Sequence, residues 1–222
     1  MKKTLLTLAA AGMLLASCQD APKADNAATG EAQAVPMADS GVNAAYMVDL
    51  GESRVEFVGT KPVGKHHGII GVKEGSVSVD ADMIKSGKIV MDLNTLRTDD
   101  QDSTGNAKLT GHLMSPDFFD VAKYPTADFE ITSVTAGIDT SVKDLVMKDA
   151  THTITGNLTM KGVSKSVSFP AKVMMSAGQV TADANFNIDR TQWGLSYGND
   201  KSLKDKFISP TVNIQLHVVA KK

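Results

Sequence analysis

The chain has 222 residues, 42% hydrophobic and 22% charged, with 23 Lys and Arg against 25 Asp and Glu for a formal charge of −2. That length fits one sizeable folded domain, and the composition excludes a wholly disordered chain. The slightly acidic balance offers neither the basic stripe that nucleic acid requires nor a polybasic patch for anionic lipid, so no nucleic-acid partner is expected.

Residues 1–17 read as a signal peptide. Lys2 and Lys3 form a short positive stretch, and Leu5 to Ala16 is a twelve-residue run rich in Leu and Ala, well short of the ~20 residues a spanning helix needs. The run ends Leu15-Ala16-Ser17-Cys18, which resembles the bacterial lipobox, where a diacylglycerol is attached to the Cys sulfur and the chain is cut before it. Cys18 is the only Cys, so no intramolecular disulfide can form, and lipidation gives the lone thiol a role. The expectation is an exported protein of the bacterial cell envelope, on the periplasmic face or the cell surface, touching membrane only through the lipid on Cys18.

Gln19 to Ala44 contains no aromatic residue, Leu or Ile and is rich in Ala, Asp, Asn, Gly and Pro. Such a segment cannot bury enough apolar surface to offset the entropy of ordering it. Residues 18–44 are therefore predicted to be a lipidated Cys followed by a flexible stalk, ahead of a domain over 45–222.

From Tyr46 the hydrophobic period becomes two. Ile89, Met91 and Leu93 alternate with polar or outward positions, as do Phe129 and Ile131. His152, Ile154, Gly156, Leu158 and Met160 alternate with Thr151, Thr153, Thr155, Asn157 and Thr159. Val167, Phe169, Ala171 and Val173 follow, then Val180, Ala182, Ala184, Phe186 and Ile188, and last Val212, Ile214, Leu216 and Val218. One apolar and one polar face marks antiparallel sheet wetted on one side. Lys73-Glu74-Gly75, Lys161-Gly162 and Ala177-Gly178 are read as turns between strands. Helical patterning is confined to a short piece near Asp82–Ser86 and a region from about Asn106 to Val121, with Ser115-Pro116-Asp117 read as a cap. The reading is all-β, with eight or nine strands that must close or stack. A closed barrel of about eight strands leaves room for one small ligand; a β-sandwich would use the same alternation with its core filled by side chains.

Four motifs carry a family resemblance: Gly59-Thr60-Lys61-Pro62-Val63-Gly64-Lys65-His66-His67-Gly68; Met114-Ser115-Pro116-Asp117-Phe118-Phe119-Asp120-Val121-Ala122-Lys123-Tyr124-Pro125; Thr155-Gly156-Asn157-Leu158-Thr159-Met160-Lys161-Gly162-Val163-Ser164-Lys165; and Phe186-Asn187-Ile188-Asp189-Arg190-Thr191-Gln192-Trp193-Gly194. In this order they resemble the YceI-like family of polyisoprenoid-binding, lipocalin-like barrels. Asp189 departs from the Asn common there, and Trp193 replaces another aromatic. The resemblance implies an antiparallel eight-stranded lipocalin-like barrel with one or two short helices, whose apolar tunnel takes a long-chain isoprenoid or other amphiphilic lipid. Phe129, Ile131, Ile154, Gly156, Leu158, Phe169, Phe186 and Ile188 would line it.

Adjacent strand residues point to opposite faces, so His66 and His67 could share a metal only at a bulge; packing and hydrogen bonding are the simpler role, and no metal is expected. Asp99-Asp100-Gln101-Asp102 lacks the Gly and closing Glu of a calcium loop. Arg190 and Trp193 are candidate head-group contacts, or else a structural pair closing the barrel end. There is no nucleophile elbow, H-E-x-x-H, G-x-G-x-x-G or P-loop, so neither catalysis nor a cofactor is expected. Three functions are consistent with the chain: a carrier of an isoprenoid-like or fatty-acid-like amphiphile for storage or transport, a structural or partner-binding protein with a filled core, and an enzyme using the tunnel.

Overall fold

The computed structural model describes residues 20–35, 44–138, 144–176 and 178–222; Cys18 and the signal segment lie outside them. The alternating runs fold into strands: β1 (Asp25–Asn26), β2 (Ala28–Glu31), β3 (Ala44–Val48), β4 (Arg54–Thr60), β5 (Lys65–Asp80), β6 (Met83–Thr98), β7 (Thr126–Ala136), β8 (His152–Met160), β9 (Val163–Ser176), β10 (Gln179–Asp189) and β11 (Thr211–Lys221). One α-helix, α1 (Ser103–Met114), and two short 3₁₀ segments, Arg190–Trp193 and Lys201–Lys206, complete the described elements. β5 to β11 pair antiparallel in chain order. β3 and β4 run end to end as one wall position, each pairing with both β5 and β11. The sheet therefore closes as an eight-position antiparallel barrel. Its apolar parity faces inward: Leu93, Val167, Phe169 and Phe186 are each no more than 3% exposed.

Three local expectations are corrected. The helix is Ser103–Met114, one turn earlier than the pattern placed it: Asp102 caps it by accepting from Gly105 N at 2.7 Å. Ser115 is instead the C-terminal cap, its N–H and hydroxyl both bonded to His112 O. Residues 82–86 are not helical. Ala81 and Asp82 take positive φ values of 46° and 59° and turn β5 into β6 as a tight hairpin, the backbone twist that two-residue hairpins favour. Lys73-Glu74-Gly75 is not a turn either: β5 runs through it, absorbing the extra residue as a register shift against β6 between Val72 and Glu74. Lys161-Gly162 is the expected hairpin, with φ of 50° and 77°.

The larger surprise is the predicted stalk. Residues 20–35 lie on the barrel wall. β9 and β10 pair only between Lys172–Ser176 and Gln179–Asp183, and farther along two strand edges are left open. β1 pairs parallel to β10 at Phe186 and Asn187, and β2 pairs antiparallel to β9 from Lys165 to Ser168. The segment fills the split like an extra stave. Its order is borrowed: Asp25 accepts from the backbone N–H of Val146 and Met147 at 2.8 and 2.9 Å, and the Asn157 amide makes paired bonds to Gln33 N and O at 2.9 and 2.7 Å. Asp25→Ala would leave two N–H groups unpaired, a cost of about 1–2 kcal/mol. Proteolysis within residues 20–35 should then be roughly tenfold faster with the barrel intact; an unchanged cleavage rate would show that Asp25 does not hold the segment.

Candidate functional site: an apolar cavity beneath the helix

Inward parity on a closed barrel dictates an apolar interior, and an eight-position barrel can be filled by side chains or hold one small ligand; here the side chains leave part of it open. A cavity of about 310 Å³ runs from the barrel end covered by α1 toward the middle. β4 supplies Val55, Phe57 and Gly59; β6 supplies Ile89, Met91 and Leu93; β11 supplies Val212, Ile214, Leu216 and Val218. Leu109, His112 and Leu113 of α1, with Phe118 and Phe119 behind it, form the cover. The ionisable lining residues, Lys61, His66, His112 and Arg190, all come from this covered end. Thr60 is fully buried at the wall, and its Oγ1 has no hydrogen-bond partner among the described residues.

The cover is clasped by aromatic contacts. His112 meets Phe118 and Tyr197 edge-on, at centroid distances of 5.1 and 4.7 Å. Its approach is fixed by two neighbouring His residues whose rings bond different acids. His66 Nδ1 bonds Asp100 at 2.9 Å, while His67 bonds Asp99 at 2.6 Å and Glu56 at 3.3 Å. Asp99 and Asp100 lie just before α1, so these pairs moor the helix to β5. Among the described residues, no group of three or more His, Cys, Asp or Glu is placed to hold a metal.

The Asp99 hydrogen bond, then that from Glu56, raises the His67 pKa above its ordinary 6.5 against the opposing effect of burial. The Glu56 carboxyl is lowered by Arg54 first and by His67 after it. A His raised on folding stabilises fully below its ordinary pKa and loses that contribution as pH rises through the folded value. His67→Gln should therefore cost up to ~1 kcal/mol below pH ~6.5, the ceiling for half-exposed pairs, and progressively less above it. Melting curves across pH check this; a difference that widens toward alkaline pH would refute it.

Most of the expected lining residues converge. Phe129, Leu158, Phe169, Phe186 and Ile188 line the main cavity. Ile131 and Ile154 instead line a smaller cavity of about 50 Å³ deeper in the barrel, which Phe129 and Phe169 also border. Gly156 borders neither, although its parity is inward, because the Phe129 ring lies over it: a Cβ there would sit 2.5 Å from Phe129 Cζ. His152, the polar exception on the inward parity of β8, bonds Thr151 at the strand start and borders neither cavity.

Arg190 does line the cavity, but its guanidinium is spent on the backbone. Nε donates to Ser209 O at 3.0 Å, Nη1 donates to Leu195 O, and Nη2 donates to Tyr197 O and Ile208 O, both at 2.9 Å. Burial lowers its pKa from the usual guanidinium value. With four donors committed, no fork remains to grip an anionic head group. Trp193 does not stack on it; Phe118 does, 5.8 Å from the guanidinium carbon. Trp193 is wholly buried and donates from Nε1 to Leu158 O at 2.8 Å, tying the end of β10 to β8. Both side chains are thus engaged in contacts within the protein. The cover residues Leu109, His112 and Leu113 escaped the sequence reading because a largely polar helix carries no strong apolar stripe; the Phe118-Phe119 pair was the available signal.

A profile described as the YceI-like domain matches residues 46–220. A UPF0312 protein of Pseudomonas paraeruginosa is 37% identical over 101 residues, 46% of this chain and 45% of that relative. A UPF0312 protein of Azotobacter vinelandii is 36% identical over 99 residues, 45% and 44% of the two chains. The matched stretch spans a little under half the length of these relatives. Among solved structures, BcnA of Burkholderia cenocepacia superposes with a TM-score of 0.58 at 22% identity, covering 78% of this chain and 99% of that one. A polyisoprenoid binding domain from Saccharophagus degradans gives 0.58 at 19% identity, covering 79% and 97%. At these identities the structures establish a shared fold.

Proposed function

The chain belongs to the YceI-like family, and on that premise we propose that it binds an amphiphile with an apolar tail, isoprenoid-like or fatty-acid-like, inside the barrel, for storage or transport and without chemistry. The observation that carries this is the cavity of about 310 Å³, whose inner wall is hydrocarbon while its polar side chains gather at the covered end. Each buried tail methylene contributes ~0.8 kcal/mol before the costs of association are subtracted, so a tail of several carbons suffices for useful affinity. A filled core leaves such a void unexplained. The enzyme reading finds no ionisable group on the inner wall, since Lys61, His66, His112 and Arg190 all lie at the covered end, where His66 is paired with Asp100, Arg190 is committed to carbonyls and His112 is packed between rings.

The proposal includes the location. The charged and apolar pattern of residues 1–17 and the lipobox-like Leu15-Ala16-Ser17-Cys18 support a lipoprotein of the cell envelope. Asn187 reaches Pro22 O and Ala24 O, so the tether between Cys18 and the wall would be only a few residues long, and the anchored barrel would sit against the bilayer.

One experiment tests both parts: fractionation and native mass spectrometry of the protein and of Cys18→Ala, purified from the host. Wild type should be in the membrane fraction, carry a covalent diacylglycerol, and release one amphiphile on organic extraction. Cys18→Ala should be exported without the covalent lipid or remain unprocessed, and it should bind an added amphiphile. A wild type that neither carries nor takes up an apolar chain ends the carrier reading; identical fractionation of the two proteins ends the anchor.

A further inference from the structure

The barrel interior is divided. The main cavity and the deeper one share five wall residues, Ile89, Phe129, Phe169, Leu216 and Val218, and the two aromatic rings are the bulk of that partition. Their positions are built from both sides. Phe169 stacks on Phe186 with centroids 4.1 Å apart and planes within 10°. Phe129 leans on Phe169 at 5.6 Å, and its ring occupies the space above Gly156 that any side chain would take. Aromatic side chains have few rotatable bonds, and these two are seated in contact with each other and with a strand backbone. A tail entering from the α1 end meets them where the two cavities adjoin. The volume ahead of them is at the lower end of the ~300–1,000 Å³ usual for ligand pockets.

We propose that Phe129 and Phe169 form a floor that sets the greatest tail length the barrel accepts, so that the preferred ligand is an amphiphile with a short apolar tail, such as a prenol of few isoprene units, in place of a long polyprenyl chain. This rests on the carrier reading above. Beyond the floor lies space lined by Val180, Ala182 and Ala184, small side chains that a longer tail could reach only if the rings were gone.

The experiment titrates geraniol, farnesol, geranylgeraniol and solanesol against a bound fluorescent fatty acid, using the full chain. In wild type, affinity should rise with each added isoprene unit and then stop rising at one length. In Phe129→Ala and in Phe129→Leu, the milder change should the first not fold, the stop should move to a longer prenol, with that prenol bound roughly tenfold tighter or more than by wild type. Adding Ala182→Leu to either variant refills the space beyond and should restore the shorter limit. A wild type whose affinity climbs without a stop, or Phe129 variants that keep the wild-type limit, overturn the floor. A wild type that binds no prenol and no fatty acid overturns the carrier reading itself, and the floor with it.

Discussion

Gly59→Phe is expected to fold with a melting temperature close to wild type and to lose the apolar ligand. Gly59 sits in β4 between Val212 and His66 and lines the main cavity. A Cβ built on it meets nothing within 4 Å, and its backbone is in an ordinary region. Replacing a strand glycine also removes an entropic cost, of about 0.5–1 kcal/mol. The new ring should project into the void. Displacing three or four methylenes of tail costs about 3 kcal/mol, or roughly two orders of magnitude in affinity. Gly156→Phe is the contrasting change. The residue has the same inward parity, yet its Cβ would lie 2.5 Å from Phe129 Cζ and 2.6 Å from the Glu130 carbonyl oxygen. The ring is already seated against Phe169, and the carbonyl belongs to the β7 backbone, so neither gives way. Overpacking of this kind costs ~1–3 kcal/mol or more, so loss of stability there is a local clash and says nothing of the cavity. Binding at wild-type affinity by a folded Gly59→Phe would place the ligand elsewhere.

Arg190→Met should lower the melting temperature by about 10 °C, the consequence of ~3–5 kcal/mol in a chain of this size. The side chain is 4% exposed and feeds four carbonyls between Leu195 and Ser209. Methionine conserves much of the packing against Phe118 and leaves those acceptors unpaired. Arg190→Lys should not restore stability: an ammonium cannot present a flat fork to acceptors spread over three directions. Hydrogen exchange should rise first in residues 195–210. A variant that keeps its melting temperature but loses affinity for an anionic amphiphile would return Arg190 to the role of head-group contact.

Several of the differences between expectation and structure have one physical origin. The moorings of His66 and His67 are Asp100 and Asp99, 34 and 32 residues away, and sequence spacing carries no trace of such a pair. Asp102 stands out in the sequence only as one acid of the Asp99–Asp102 run; its role as a helix cap depends on where the backbone turns. Arg190 was read as either ligand contact or structural pair because an arginine's partners can be backbone carbonyls, which every residue possesses and none advertises.

What the sequence determined by itself was parity. Period-two alternation placed Phe129, Leu158, Phe169, Phe186 and Ile188 on the face that becomes the cavity wall, and positive-φ turn chemistry set the Lys161-Gly162 hairpin. Those are local properties, settled by the pleat and by the cost of exposing apolar surface. Only the tertiary structure decided which inward positions remain open and which are filled. Gly156 and Gly59 are both inward and both lack a side chain, but the ring of Phe129 crosses from the neighbouring strand over one and nothing crosses over the other. It likewise decided the fate of residues 20–35. Their composition cannot drive folding, and they are ordered because β9 and β10 part and leave two rows of unpaired backbone groups that a short polar segment can satisfy.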